Sequence, residues 1–125
     1  MNIPANLKYT KDHEWIKVDG NIGYIGITEH AQSELGDIVF VDVPSDLAEV
    51  KMDVSFGTLE AVKTVADILS PVSGKVLEIN ALLATAPETI NNDPYGEGWI
   101  LKIELTNPSE LDSLMDADAY TAYLG

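Results

Sequence analysis

One lysine in this chain stands in surroundings that need an explanation. Lys63 is the only basic residue between Lys51 and Lys75, and the residues beside it are β-branched types typical of a buried strand. A primary amine can be acylated, which removes its charge and attaches a new group. Two structural roles compete with that chemistry: protection of an exposed sheet edge against aggregation, and an ion pair with Glu60. The residue types leave these alternatives open.

The other residue types exclude several kinds of active site. The chain has no cysteine, so it offers no thiol nucleophile, no disulfide and no thiolate metal ligand. His13 and His30 have acidic neighbours, but two histidines at this separation match no metal-site spacing, and we expect no metal. No nucleophile has an adjacent base. We therefore expect a protein that is not itself an enzyme.

The charge balance excludes a further class of partner. The chain has twenty-one acidic residues and seven basic ones, all of them lysines, and its formal net charge is -14. Without arginine the chain lacks the planar fork that binds phosphate in bidentate fashion, and its field repels nucleic acid and anionic lipid. Such acidity favours solubility, and it also steers the protein toward partners with basic docking faces.

The 125 residues fit one domain, 1–125, with short elements that are mostly strands. Two strands, 14–18 and 22–27, form a predicted hairpin around Asp19-Gly20-Asn21, and Thr28 caps a helix over 29–35 that ends at Gly36. Further strands are predicted at 37–43, 72–79 and 99–105. These elements predict a β-sandwich or barrel with small helices.

The C-terminal region changes to helical spacing. Asn107 is predicted to cap a helix that has Pro108 at its first position and Glu110 as a capping-box residue. A second short helix is predicted to end near residue 124 and to pack against the sheets. We therefore expect flanking helices within 108–124.

The segment from Thr58 to Ser70 is ambiguous by local pattern. It contains neither Gly nor Pro, and its apolar residues have helical spacing. Five of its thirteen residues are β-branched, however, which favours extended structure. We predict strand over this segment, and no local turn chemistry indicates that the chain reverses at Lys63.

Several segments resemble, in the same order, those of the glycine cleavage system H protein family. The central one surrounds the lysine and resembles that family's lipoyl-attachment region. The matching segments cover nearly the whole chain: Leu7-Lys8-Tyr9, His13-Glu14-Trp15, Gly26 to Gln32, Leu35-Gly36-Asp37, Gly57 to Lys63, Asp67 to Val76, Asn92 to Gly96, Gly98-Trp99 and Leu114 to Tyr120.

The resemblance implies a mainly β fold, a lipoyl-type β-sandwich or barrel-sandwich hybrid, with Lys63 at the tip of a tight hairpin. It also implies that lipoate is amide-linked to Lys63. Glu60, three residues before the lysine, and Gly74, eleven after it, would then guide the lipoate-attaching enzyme. By residue type alone, Glu60 is a solvated strand residue and Gly74 marks a bulge or bend.

The same resemblance implies three metabolic partners. A pyridoxal-phosphate glycine decarboxylase would load an aminomethyl group onto the arm and reduce its disulfide, a tetrahydrofolate-dependent aminomethyltransferase would remove the one-carbon unit, and dihydrolipoyl dehydrogenase would reoxidise the dithiol. The carrier supplies a high effective concentration at each partner's site. The redox group comes with the cofactor, which reconciles redox work with a chain that has no cysteine.

A cationic aminomethyl arm needs nearby carboxylates and protection from water. Resemblance points to Glu14 and Asp67 for this cleft. Asp12 is a further candidate, although many family members have a small hydroxyl residue at its position. Solvated surface carboxylates are the alternative for all three residues.

Alternative functions remain at this point. Lipoyl domains of 2-oxoacid dehydrogenases usually have Asp before the lysine, and biotin carriers have Met on both sides, whereas this chain has Val62 and Thr64. A carrier that relays lipoyl groups to other proteins and an unmodified acidic interaction domain both stay open. We expect a cytoplasmic monomer, or a mitochondrial matrix protein if the chain is already processed, because the N-terminus resembles neither a signal nor a transit peptide.

Overall fold

Two antiparallel β-sheets form most of the protein in the computed structural model, which describes residues 1–125. The nine strands are β1 Lys8–Tyr9, β2 Glu14–Asp19, β3 Ile22–Ile27, β4 Ile38–Asp42, β5 Glu49–Val50, β6 Ser55–Ala61, β7 Val65–Leu69, β8 Gly74–Ile79 and β9 Leu101–Leu105. The larger sheet has the spatial order β1-β2-β3-β9-β8-β5, and the smaller has the order β4-β6-β7. The mainly β prediction is confirmed.

Short helices lie at the ends and edges of the sheets. They are α1 Glu29–Leu35, α2 Leu82–Thr85, α3 Thr89–Asn92, a 3₁₀ helix at Pro108–Ser113 and α4 Ala117–Leu124. The predicted limits of α1 are confirmed, because the Thr28 side chain accepts a hydrogen bond from the Ala31 amide and Gly36 follows the helix with φ of 81°. None of the helices has the length and apolar character that a membrane crossing requires.

The prediction for residues 107–110 is confirmed for a helix that begins at Pro108 and is wrong for the type of helix and its caps. The segment forms a 3₁₀ helix, and the Asn107 side chain caps nothing. Glu110 accepts hydrogen bonds from the Ser73 amide at 2.7 Å and from the Ser73 hydroxyl at 2.9 Å. Ser73 lies far from Glu110 in the chain. This tertiary contact replaces the local capping box. The helix predicted near the C-terminus is confirmed as α4, which Asp116 caps.

The ambiguous segment forms two strands, β6 and β7, joined by a sharp reversal, so strand was the correct prediction. The impression that residues beside Lys63 are buried is wrong: Val62 and Val65 are both strongly exposed. They lie at and beside a hairpin tip, where solvent reaches the side chains on both faces.

A core of sixteen buried apolar residues lies between the two sheets. A second, smaller cluster joins the N-terminal region, β2 and α4 through Leu7, Tyr9, Trp15 and Tyr120. Tyr9 and Tyr120 stack with ring centroids 4.6 Å apart. This aromatic cluster fixes the C-terminal helix beside the turn that precedes β2.

Candidate functional site

Lys63 lies at the tip of the β6–β7 hairpin. Glu60 pairs with Val65, and the Ala61 amide donates to the Thr64 carbonyl at 2.8 Å, so Val62 and Lys63 are the two central turn residues. Neither has a positive φ. The reversal therefore needs no glycine or asparagine, and this explains why turn chemistry did not reveal it.

The Lys63 amine is exposed and has no charged partner. The only contact within 4.0 Å between a basic and an acidic side chain joins His30 and Glu34, so the alternative of a Lys63–Glu60 ion pair is wrong. The hairpin is tethered instead through its backbone, since the Val62 amide donates to the Asp37 carbonyl at 3.1 Å. The backbone at the tip is held while the lysine side chain remains free to react.

The two candidate recognition residues differ in accessibility. Glu60 is exposed on β6, whereas Gly74 is buried at the start of β8. A Cβ at Gly74 would lie 2.8 Å from the Glu104 carbonyl oxygen on the paired strand. The irregular register in β8 lies between Val76 and Glu78, and Gly74 pairs regularly with Leu105, so the predicted bulge or bend at Gly74 is wrong. This glycine permits a close approach between two strands.

A small cavity of about 180 Å³ brings together the three carboxylates that the sequence singled out, Asp12, Glu14 and Asp67. Its walls come from the turn before β2, from α1 and from the β6–β7 hairpin. Glu34 on α1 also lines it, and sequence reasoning missed this fourth carboxylate. Its position in the last turn of a predicted helix was visible, but nothing local indicated which wall the helix would form.

A second hollow, of about 360 Å³, lies beside the lysine. Val62 and Lys63 form one side of it, and the end of α1 with the following loop forms the other. Glu34 and Leu35 line both this hollow and the acidic cavity. The two hollows are therefore neighbours, and the end of α1 leads from Lys63 to the carboxylates.

Glu14 is the most perturbed acid in the protein. Its side chain is only 3% exposed, and its carboxyl oxygen lies 2.6 Å from the Thr10 hydroxyl. Burial is the main cause that raises the pKa of Glu14 to about 8; the Asp12 and Asp53 charges act in the same direction, and hydrogen bonds to Thr10 and to the Leu69 backbone act against it. The carboxyl is thus mostly protonated at neutral pH, which contradicts the alternative that it is a solvated surface charge. A cation in the cavity would favour its ionised form.

A hydrogen-bonded chain holds the turn that carries Asp12 and Glu14. Residue His13, between them, has φ of 68°, and its Nδ1 lies 2.9 Å from the Tyr120 hydroxyl. That hydroxyl lies 2.8 Å from the Thr28 hydroxyl, which caps α1. Burial lowers the pKa of His13, and the neighbouring His30 lowers the pKa further. Helix α4 thereby connects two walls of the cavity.

Comparison with known proteins identifies the family. The family model described as "Glycine cleavage H-protein" matches residues 7–125. A glycine cleavage system H protein of Symbiobacterium thermophilum is 60% identical over 98% of this chain and 95% of its own length, and one of Bacteroides fragilis is 50% identical over 98% and 97%.

The chain belongs to the glycine cleavage H-protein family. A crystal structure of a glycine cleavage system H protein from Mycobacterium marinum is similar to it, with a TM-score of 0.89 and 37% identity, over 98% of this chain and 99% of that one. The resemblance seen in the sequence is confirmed. The protein is a lipoyl carrier of the glycine cleavage system and not a catalyst, and the lipoyl-type fold is confirmed with it.

Proposed function

We propose that Lys63 carries the lipoyl group through an amide bond. The observation that supports this most is the placement of the lysine, exposed and without an ion-pair partner at a hairpin tip whose backbone is anchored to Asp37. Amide formation joins the Nζ atom to the carboxyl carbon of an activated lipoyl group, while the activating group leaves that carbon and Nζ loses protons, and it removes the lysine charge. When attached, the group supplies a dithiolane disulfide, a chemistry that this cysteine-free chain lacks.

The proposed partners are the pyridoxal-phosphate glycine decarboxylase, the tetrahydrofolate-dependent aminomethyltransferase and dihydrolipoyl dehydrogenase. Lys63 presents its arm to each of them in turn, so the one-carbon unit and the electrons of glycine travel on one tether. The net charge of -14 supports encounters with partners whose docking faces are basic. It also supports a monomer, because two copies repel one another. Bacterial relatives support a cytoplasmic location.

Glu60 and Gly74 are proposed to guide the lipoate-attaching enzyme in different ways. Glu60 is exposed on the same hairpin as Lys63, so an enzyme that holds the amine contacts it directly. Gly74 is buried against Ile103 and the Glu104 carbonyl, so its contribution comes through the packing of β8 on β9. Substitutions at the two positions are expected to differ accordingly, with a loss of stability only for Gly74.

The acidic cavity is proposed to hold the cationic, loaded end of the arm. Asp67 attracts the cation, Asp12 and Glu34 line the same cavity, and Glu14 gives up its proton as the cation enters, because the cation favours the ionised carboxylate. The shared lining of the two hollows supports a path from Lys63 into this cavity. Because Glu14 lies deep in it, water is displaced where the charge resides, and hydrolysis is slowed.

Intact mass spectrometry of the protein isolated from its native host tests the attachment site. We expect a species heavier by one lipoyl group that disappears in Lys63→Ala and persists in Lys75→Ala, a matched change at another exposed lysine. A reconstituted glycine–CO2 exchange assay with the decarboxylase then tests the carrier role, with activity only for the lipoylated form. An unmodified protein in the host, or exchange without lipoylation, would contradict the proposal.

A further inference from the structure

The outer face of the β4-β6-β7 sheet carries a row of exposed side chains beside the lysine hairpin. Phe40 pairs with Glu60, and Glu60 pairs with Val65. Residues directly opposite in antiparallel strands lie on the same face, so the three side chains form one continuous row. Phe40 is 51% exposed and Val65 is 62% exposed, with the Glu60 carboxylate between them.

This row is separate from the hydrophobic core. The next paired positions along the same strands are Val41, Leu59 and Ala66, of which Leu59 is fully buried and the other two are partly buried. The alternation shows that the row points away from the core, and no other element of the chain covers it. Val62, at the hairpin tip beside Lys63, is exposed as well.

We propose that the Phe40–Glu60–Val65 row is the docking surface for the enzyme that acylates Lys63, and that this enzyme presents an apolar recess bearing a basic side chain. The inference rests on the proposed function of Lys63. It extends the recognition role of Glu60 to two apolar neighbours that exclude water from the charge. An ion pair sheltered in this way is stronger than one between fully solvated groups.

The short length of the unmodified lysine side chain favours the acylating enzyme over the other enzymes that handle the arm. Before acylation only the lysine side chain projects from the hairpin, and it spans about 6 Å from Cα to Nζ. The acylating enzyme must therefore approach the hairpin closely. Glu60 lies three residues back from Lys63, about 10 Å along the strand, and Phe40 lies one strand spacing of about 5 Å further across, so an enzyme contact surface of ordinary size covers the row. The other enzymes meet a much longer arm and can stand further from the sheet.

Charge repulsion disfavours a second copy of this chain as the partner that binds the Phe40–Glu60–Val65 row. A two-fold contact through this row would bring two Glu60 carboxylates together, and each copy has a net charge of -14. A basic partner gains from the same field, both in the rate of encounter and in the pairing of Glu60.

The test measures lipoylation of purified, unmodified protein by the host's lipoate-attaching enzyme. In Phe40→Ser we expect kcat/KM to fall about tenfold, equivalent to about 1.4 kcal/mol, mainly through a higher KM. In Val65→Thr we expect kcat/KM to fall about threefold. The matched controls are Leu77→Ser and Val54→Thr, at sites 49% and 53% exposed on other surfaces, and they should stay within twofold of wild type.

Three readouts separate this surface from general damage. Thermal melts check that each variant folds, and acylation of Lys63 by a small activated ester, without enzyme, should be unchanged. The double variant Phe40→Ser, Glu60→Gln should lower kcat/KM by less than the product of the two single fold-changes. The reason is that either change already admits water to the other residue.

Several results would overturn the inference. Unchanged kcat/KM in the Phe40 and Val65 variants would do so, as would wild-type self-association that Phe40→Ser abolishes without affecting lipoylation. Enzymatic lipoylation that never occurs at Lys63 in the wild type would overturn the proposed function as well, so the two failures are distinguishable.

Discussion

Replacing Glu14 with Gln is expected to change how the stability of the protein depends on pH. The folded carboxyl has a pKa of about 8 and the ordinary pKa of a glutamate is 4.5, so between these values the folded state holds a proton that the unfolded state has released. A raised carboxyl pKa means that its contribution to stability is fully present below about pH 4.5 and is lost as pH rises through about 8. The Gln amide does not titrate and removes this dependence.

The size of the effect follows from linkage. One proton held only by the folded state changes the free energy of unfolding by about 1.36 kcal/mol per pH unit. With the two pKa values above, the wild type should lose about 2.5 kcal/mol relative to Glu14→Gln between pH 5 and pH 7. Counted from pH 5, the loss should level off above pH 9 at about 4 kcal/mol.

The assay is urea unfolding followed by tryptophan fluorescence, with both proteins measured at intervals from pH 5 to pH 9. Taking the difference between the two proteins cancels the titration of the other acids. Glu78→Gln, at an exposed position of β8, is the control and should run parallel to the wild type. Parallel curves for the wild type and Glu14→Gln would refute the reasoning that burial keeps this carboxyl protonated.

Three further predictions concern the groups around the cavity and the lysine hairpin. Tyr120→Phe should lose about 2 kcal/mol, and about 8 °C in Tm by calorimetry, because its hydroxyl joins a histidine nitrogen to the cap hydroxyl of α1. Tyr123→Phe, which loses one exposed hydrogen bond, should lose less than about 0.5 kcal/mol, and equal losses would argue against the linking role. Gly74→Ala should lose at least about 2 kcal/mol in urea unfolding, since its Cβ would lie 2.8 Å from a backbone carbonyl oxygen of β9, and an unchanged midpoint would contradict this. Glu110→Ala should lose about 1–2 kcal/mol and speed hydrogen exchange of the Ser73 amide, and unchanged exchange would show that their hydrogen bond is dispensable.

Local chemistry was sufficient to predict several elements. Asp19-Gly20-Asn21 indicated the first hairpin, and Gly20 does adopt a positive φ there. Thr28 and Gly36 marked both ends of α1 because a cap hydroxyl and a glycine with a positive φ act within a few residues. The ordered set of family segments indicated the H-protein family, to which the chain belongs.

Prediction failed where residues distant in the chain decide the structure. Glu110 had the right spacing for a capping box, but Ser73 offered two donors that a local pattern does not include. α2 and α3 were not predicted at all, since each is a single short turn of helix that depends on packing against the sheets.

The sequence by itself determined the composition of the site: a lysine among β-branched residues, carboxylates at 12, 14 and 67, and no thiol or arginine. The tertiary structure alone decided that these carboxylates share a cavity with Glu34, that Glu14 is buried enough to hold its proton, and that Phe40 and Val65 flank Glu60. The reason is that pKa and exposure depend on every element packed around a group, and strand register brings together residues that local sequence does not relate.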